Sequence, residues 1–122
     1  MDTKQIGQRL VELCQQGRND EAYATLYSPD IISVEAFPPA GMPAELKGFE
    51  AIGRKGEWWT QNHEIHSAGA RGPYTVGDRF AVIFNFDVTP KAGPQSGKRT
   101  QMEEVALYTV KDGKIVREEF MY

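Results

Sequence analysis

A chain of 122 residues that is 40% hydrophobic and 25% charged is long enough for one globular domain, residues 1–122, with its own buried core. Its net charge is −3 and its 14 basic residues are scattered, which argues against a nucleic-acid partner. No apolar run approaches the roughly 20 residues of a membrane span, and the single cysteine excludes an internal disulfide and multi-cysteine zinc sites. The opening Met1–Gln5 lacks the basic-then-apolar order of a secretory signal, so a cytoplasmic location is expected.

Apolar residues at Ile6, Leu10, Leu13 and Cys14 recur with helical period, predicting a first helix over 3–16 that Gly17 ends. Cys14 belongs to that stripe and reads as a small buried hydrophobe. Asn19 or Asp20 caps a shorter second helix whose Tyr23, Leu26 and Tyr27 share a face, with Pro29 as its stop. The β-branched run 30–36 predicts a strand closed by Pro38 and Pro39, followed by a loop over 37–48 with a short strand at Glu45 to Lys47. A third helix starts near Phe49 and places Ile52, Gly56, Trp59 and His63 in one arc. The period then changes to two, giving strands over 64–76, 79–89, 99–110 and 114–122, parted by Gly77-Asp78, the loop 90–98 and Asp112-Gly113. The class is α+β, with helices on one face of a curved, mostly antiparallel sheet.

This element order is similar to the NTF2-like (SnoaL-like, ketosteroid-isomerase-like) cone fold. The wording "LYSPDIISVEA", "GFEAI" and "VKDGKIVREEF" resembles, in turn, that family's passage into the first strand, its third-helix start and its last hairpin. Ketosteroid isomerases use an aspartate base with a tyrosine and a protonated aspartic acid as oxyanion hole. At the matching positions this chain carries Ala36, Leu10 and Val105. The resemblance therefore implies the fold and a pocket without that mechanism. It also implies sheet-to-sheet dimerisation, and it puts His66 on the pocket wall.

An Asp-Gly hairpin turn pairs Lys111 with Lys114, and continuing that register puts Glu103, Val105, Leu107, Glu118, Phe120 and Tyr122 on one face. This face is expected under the helices, with Glu118 as a carboxylate in an apolar wall. A tight turn at Gly77-Asp78 puts His66 beside Asp87, on the face that also carries Ile83 and Asn85. Phe80, Val82, Phe84 and Phe86 then point outward as an apolar patch for a homodimer through the outer sheet face.

The candidate catalytic residues are His66 as general acid or base, Asp87 as its orienting partner and Glu118 as a second acid or polar anchor. Candidate ligand-binding residues are Trp59, Tyr27, Asn85, Glu103, Phe120 and Tyr122. His63 is expected to pack at the helix end, and Glu35 to be a rim carboxylate on the solvent side. "HEIH" lacks the H-E-x-x-H spacing, and "KAGPQSGK" lacks both the spacing and the context of a phosphate loop, so neither a metal nor a cofactor is expected. The sequence supports proton-transfer chemistry of isomerase, dehydratase or hydrolase type on a small, partly apolar organic molecule. The alternative is a non-catalytic ligand-binding or dimeric accessory protein.

Overall fold

The structure, a computed structural model, describes residues 1–38 and 41–122. Pro39, expected to help close the first strand, lies outside the described residues. Three helices, α1 (Thr3–Gln15), α2 (Asn19–Leu26) and α3 (Phe49–Asn62), pack on a curved sheet of six strands: β1 (Tyr27–Glu35), β2 (Glu45–Lys47), β3 (His63–Val76), β4 (Arg79–Pro90), β5 (Thr100–Lys111) and β6 (Lys114–Met121). The strand order is β2-β1-β6-β5-β4-β3, antiparallel throughout except for the β1–β6 pair. The predicted elements are all present, and the architecture is the α+β cone expected from the sequence. Among the described residues, no helix is long and apolar enough to cross a membrane.

Local chemistry fixes the element ends. Asp2 and Gln5 form a reciprocal capping box that satisfies two backbone donors at the start of α1. The second helix stops at Leu26, three residues before Pro29, because Tyr27 already has extended backbone angles. Asp112 and Gly113 both take positive φ, as a type I′ turn requires. Ile6, Leu10 and Leu13 of α1, with Leu26, Ile31, Phe80, Val82, Tyr108 and Ile115, are almost fully buried between helices and sheet. The Phe80 and Tyr108 rings stack there at 4.9 Å.

Two irregularities reverse the expected sheet faces. The β5–β6 hairpin begins as anticipated, with Lys111 opposite Lys114 and Val110 opposite Ile115, but Thr109 then pairs with Arg117. Val116 is the extra residue of a bulge, so everything beyond it shifts by one. Glu118 therefore lies opposite Tyr108 rather than Leu107, and Phe120 opposite Ala106 rather than Val105. The covered face of β5 carries Glu104, Ala106 and Tyr108, while Glu103, Val105 and Leu107 face outward. In the β3–β4 hairpin Val76 pairs with Arg79 as expected, but the register shifts between Arg71 and Tyr74, at Gly72-Pro73, and again at His66. Ser67, rather than Ala68, faces Asp87.

The proposed outer patch is thereby overturned. Phe80, Val82 and Phe84 are buried under the helices and Phe86 is half-buried beside them, because the helices cover the even-numbered face of β4. The outer face instead carries Ile83, Val105 and Leu107, all half-buried, together with the exposed Met121.

The approach of α1 to the sheet depends on Gly7. A Cβ there would stand 2.8 Å from Cβ of Pro73 and 3.1 Å from the Phe80 ring. Alanine is the better helix former by about 1 kcal/mol, but overpacking costs about 1–3 kcal/mol, so the expected net effect of Gly7→Ala is a loss of about 1 kcal/mol. Thermal denaturation checks the sign: a raised Tm would show that helix propensity governs this position and that the contact yields freely.

Candidate functional site

Between the helices and the covered face of the sheet lies a cavity of about 630 Å³. Its floor is set by β5 and β6, whose alternation sends Glu104, Tyr108, Glu118 and Phe120 into it. The first strand contributes Tyr27 and Glu35 at its two ends, and α3 contributes Lys55 and Trp59. Ten of the chain's 13 aromatic residues line the cavity.

Glu118 is 2% exposed. The Tyr27 hydroxyl donates to its Oε2. Ser33, directly opposite Glu118 in the β1–β6 pairing and itself buried, also hydrogen-bonds the carboxylate. The Lys55 ammonium donates to Ser33 Oγ at 2.8 Å, pairs with Glu35 and stands 4.4 Å above the Phe120 ring centroid. The Tyr122 hydroxyl lies 2.8 Å from Glu35 Oε2 and 2.9 Å from the Phe37 carbonyl, which compete for its one proton, and it accepts the Phe37 N–H at 3.3 Å. An ordered polar chain thus runs from Tyr27 through Glu118, Ser33, Lys55 and Glu35 to Tyr122.

Burial governs the titration of these groups. Desolvation raises Glu118 above the usual carboxylate range, opposed by Lys55, Tyr27 and Ser33. Glu104 rises from 4.5 to about 7, chiefly by desolvation and then by the charge of Glu35, with Glu118 adding and Lys55 opposing. No hydrogen-bond donor contributes to its shift. Tyr27 and Tyr108 are pushed far up by burial and by the negative charge of Glu118. Burial also lifts the Cys14 thiol to about 11, which leaves it a poor nucleophile on the cavity wall, as its place in the helical stripe suggested.

Five sequence-predicted site residues line this cavity together: Glu118, Tyr27, Trp59, Phe120 and Tyr122. Four others do not. His66, Asp87, Asn85 and Glu103 belong to the outer face, because the even-numbered residues of β4 and β5 are the ones that turn inward. His66 and Asp87 share a face as expected but do not bond to each other. The imidazole Nε2 meets Thr89 Oγ1 at 2.8 Å, and Asp87 accepts two hydrogen bonds from Arg99 at 2.9 and 2.8 Å. Those bonds are the main reason that Asp87 titrates below the usual carboxylate range. Glu103 pairs with Arg71 at 3.2 Å, and Asn85 and Asp87 border a shallower surface depression.

His63 behaves as expected: its Nδ1–H donates to the Trp59 carbonyl at 3.0 Å, and its ring stacks on Trp59 at 3.8 Å. Among the described residues, no three His, Cys, Asp or Glu side chains come together as a metal ligand set. Glu35 is a correction. Its side chain is 16% exposed and bound to Lys55 and Tyr122 inside the cavity, because it has the strand parity of the buried Ile31 and Ser33. Sequence reasoning also missed Lys55, Ser33, Tyr108 and Glu104. Lys55 was within reach of the helical wheel, three residues after Ile52 and four before Trp59. The bulge hid Glu104 and Tyr108.

Because Glu104 holds its proton more tightly folded than unfolded, the stability it contributes is complete below about pH 4.5 and is lost as pH rises through about 7. Glu118 shifts in the same direction. Replacing Glu104 with glutamine removes that loss, so Glu104→Gln should gain about 1–3 kcal/mol at pH 8 and almost nothing at pH 4.5. Denaturant melts at the two pH values measure this; an equal effect at both would refute the strained carboxylate.

Comparison with known proteins agrees with this architecture. The family model described as SnoaL-like domain matches residues 1–122. A candidate SnoaL-like polyketide cyclase from Mesorhizobium loti, which also bears the label carbohydrate phosphatase, is 46% identical over 100% of both chains, with a TM-score of 0.91. A Xanthomonas campestris protein of unknown function with a cystatin-like fold shares 20% identity, 99% coverage of this chain, 90% of its own and a TM-score of 0.77. A candidate polyketide cyclase from Pseudomonas putida shares 17% identity, covers 100% and 92%, and has a TM-score of 0.70. These last two likenesses concern the fold alone. No curated protein matches the chain. The full-length family match and the near-half identity to the Mesorhizobium loti structure establish that the chain belongs to the SnoaL-like domain family.

Proposed function

We propose that the cavity binds a small, partly apolar organic molecule and performs proton-transfer chemistry on it, of isomerase, dehydratase or hydrolase type. The observation that carries this is Glu104: a carboxyl group on the wall of a ring-lined cavity of about 630 Å³, titrating near 7 with no donor tying it down. A group with that pKa takes and returns protons at neutral pH with least penalty. Glu104 serves as the general base. Lys55, fixed by Glu35 and Ser33, faces negative charge that develops on a substrate oxygen. Glu118 with Tyr27 forms a second, more deeply buried acid. Trp59, Phe120 and Tyr122 shape the space around the ligand.

His66 and Asp87 have no part in this scheme, since they lie across the sheet from the cavity and are engaged elsewhere. The alternative, a non-catalytic binding module, accounts for the cavity and its rings but not for an untied carboxyl poised near neutrality. A neutral general-base probe separates the two. The protein should accelerate the base-promoted ring opening of 5-nitrobenzisoxazole, with a rate that rises with pH through about 7. Glu104→Gln should lower that rate by about 100-fold. A rate equal to that in buffer, or one unchanged in Glu104→Gln, would favour the binding module.

A homodimer through the outer sheet face and a cytoplasmic location complete the proposal. The free thiol of Cys14 suits a reducing compartment. For the dimer, the support is the cluster of Ile83, Val105, Leu107 and Met121 on the side of the sheet that the helices leave uncovered, bordered by the Arg117–Glu119 ion pair of β6. Light scattering should give twice the mass of one chain, reduced to one by Val105→Glu; a single-chain mass for the wild type would refute it.

A further inference from the structure

The charges on the cavity wall are unbalanced. Five carboxylates (Asp20, Glu35, Glu57, Glu104 and Glu118) line it against the single ammonium of Lys55. That ammonium is already committed to Glu35, Ser33 and the face of Phe120. Glu118 has neutral donors, Tyr27 and Ser33, and Glu104 has no cation of its own. The indoles of Trp58 and Trp59 and the rings of Phe84 and Phe86 line the same cavity, with Trp59 stacked on His63, and aromatic faces carry negative quadrupole charge. A different lining ring, Phe120, already holds the Lys55 ammonium over its face at 4.4 Å.

We infer that the cavity selects a small organic cation, an amine or quaternary ammonium group on an apolar body, over neutral and anionic molecules of the same size. This rests on the cavity being the ligand site, as proposed above, and adds the charge of the ligand. A positive group entering beside Glu104 compensates the uncommitted carboxylate, whereas an anion there meets Glu35 and Glu104 together. The groups facing Glu104 are Lys55 of α3, Glu35 of β1, Glu118 of β6, Tyr122 beyond β6 and Tyr23 of α2. Burial is the main cause of the upward shift of Glu104; the charges of Glu35 and Glu118 add to it and Lys55 opposes it, and a bound cation acts on the charge contribution alone.

Trp58 and Trp59 are the chain's only tryptophans and both line the cavity, so intrinsic fluorescence reports occupancy directly. The probes are benzyltrimethylammonium, benzyl alcohol and benzoate, which share a ring and differ in charge. The first is cationic at every pH, so any pH dependence of its binding belongs to the protein. At pH 8 it should bind about ten-fold more tightly than either of the others, an advantage that fades as pH falls through about 7. Glu104→Gln should remove most of that advantage and leave benzyl alcohol binding unchanged. Equal binding of the three probes, tighter binding of benzoate, no binding of any, or a preference that persists undiminished in Glu104→Gln would each overturn the inference. Equal binding with retained 5-nitrobenzisoxazole activity would remove the charge selectivity alone. A cation preference without that activity would uphold the selectivity and remove only the catalytic role.

Discussion

A carboxylate buried to 2% exposure among aromatic rings has to be surrounded by donors, and the organisation of the cavity follows from meeting that need for Glu118. The donors come from elements far apart in sequence. Tyr27 stands where α2 gives way to β1, and Ser33 lies across the parallel β1–β6 pairing. Parallel pairing of the first and last strands is what makes this geometry possible, because it places Ser33 directly opposite Glu118. Lys55 then reaches from α3 to Ser33 and Glu35, tying the helical layer to the same polar chain. Every buried side-chain nitrogen and oxygen among the described residues has a partner. A fully satisfied network of this kind holds its side chains in fixed orientation.

The same arrangement gives the two carboxyl groups of the wall different surroundings. Glu118 is held by neutral donors and is nearly closed off, whereas Glu104 is tied by nothing and titrates near neutrality. Two carboxyl groups on one cavity wall thus differ in environment and hold their protons differently. Lys55 pairs with only one of the lining carboxyl groups, Glu35. Tyr122, near the end of the chain, anchors Phe37 beside the cavity through the hydroxyl that also meets Glu35, so the β1–β2 connection and the lysine pair are linked.

On the opposite face of the sheet, His66, Asp87 and Arg99 form a separate polar group. A histidine near an aspartate in sequence register resembles a catalytic dyad when only the strand pattern is considered. Here the guanidinium fork of Arg99 matches the carboxylate with two parallel hydrogen bonds and takes the place that the imidazole would need. Spacing along strands told that His66 and Asp87 share a face. It did not tell which face the helices cover, nor that a residue twelve positions beyond Asp87 would fold back onto it.

The sequence by itself determined the elements, because helix and strand periods, capping residues and Gly- or Pro-marked turns are local properties that no distant contact needs to supply. It also marked Glu118, Tyr27, Trp59, Phe120 and Tyr122, which all line the cavity although Tyr27 opens β1 rather than closing α2 and the bulge at Val116 gives Glu118 and Phe120 other partners on β5. Only the tertiary structure decided the rest. The single extra residue at Val116 exchanges the two faces of β5 relative to β6, bringing in Glu104 and Tyr108 and sending Glu103 out. The helices settle on the face of Phe80, Val82 and Phe84, a choice that depends on summed burial over the whole sheet. Glu35 and Lys55 find each other across 20 positions of chain. Side-chain alternation has a period of two, so one inserted residue inverts every inference beyond it, and no local pattern in the strand records that insertion.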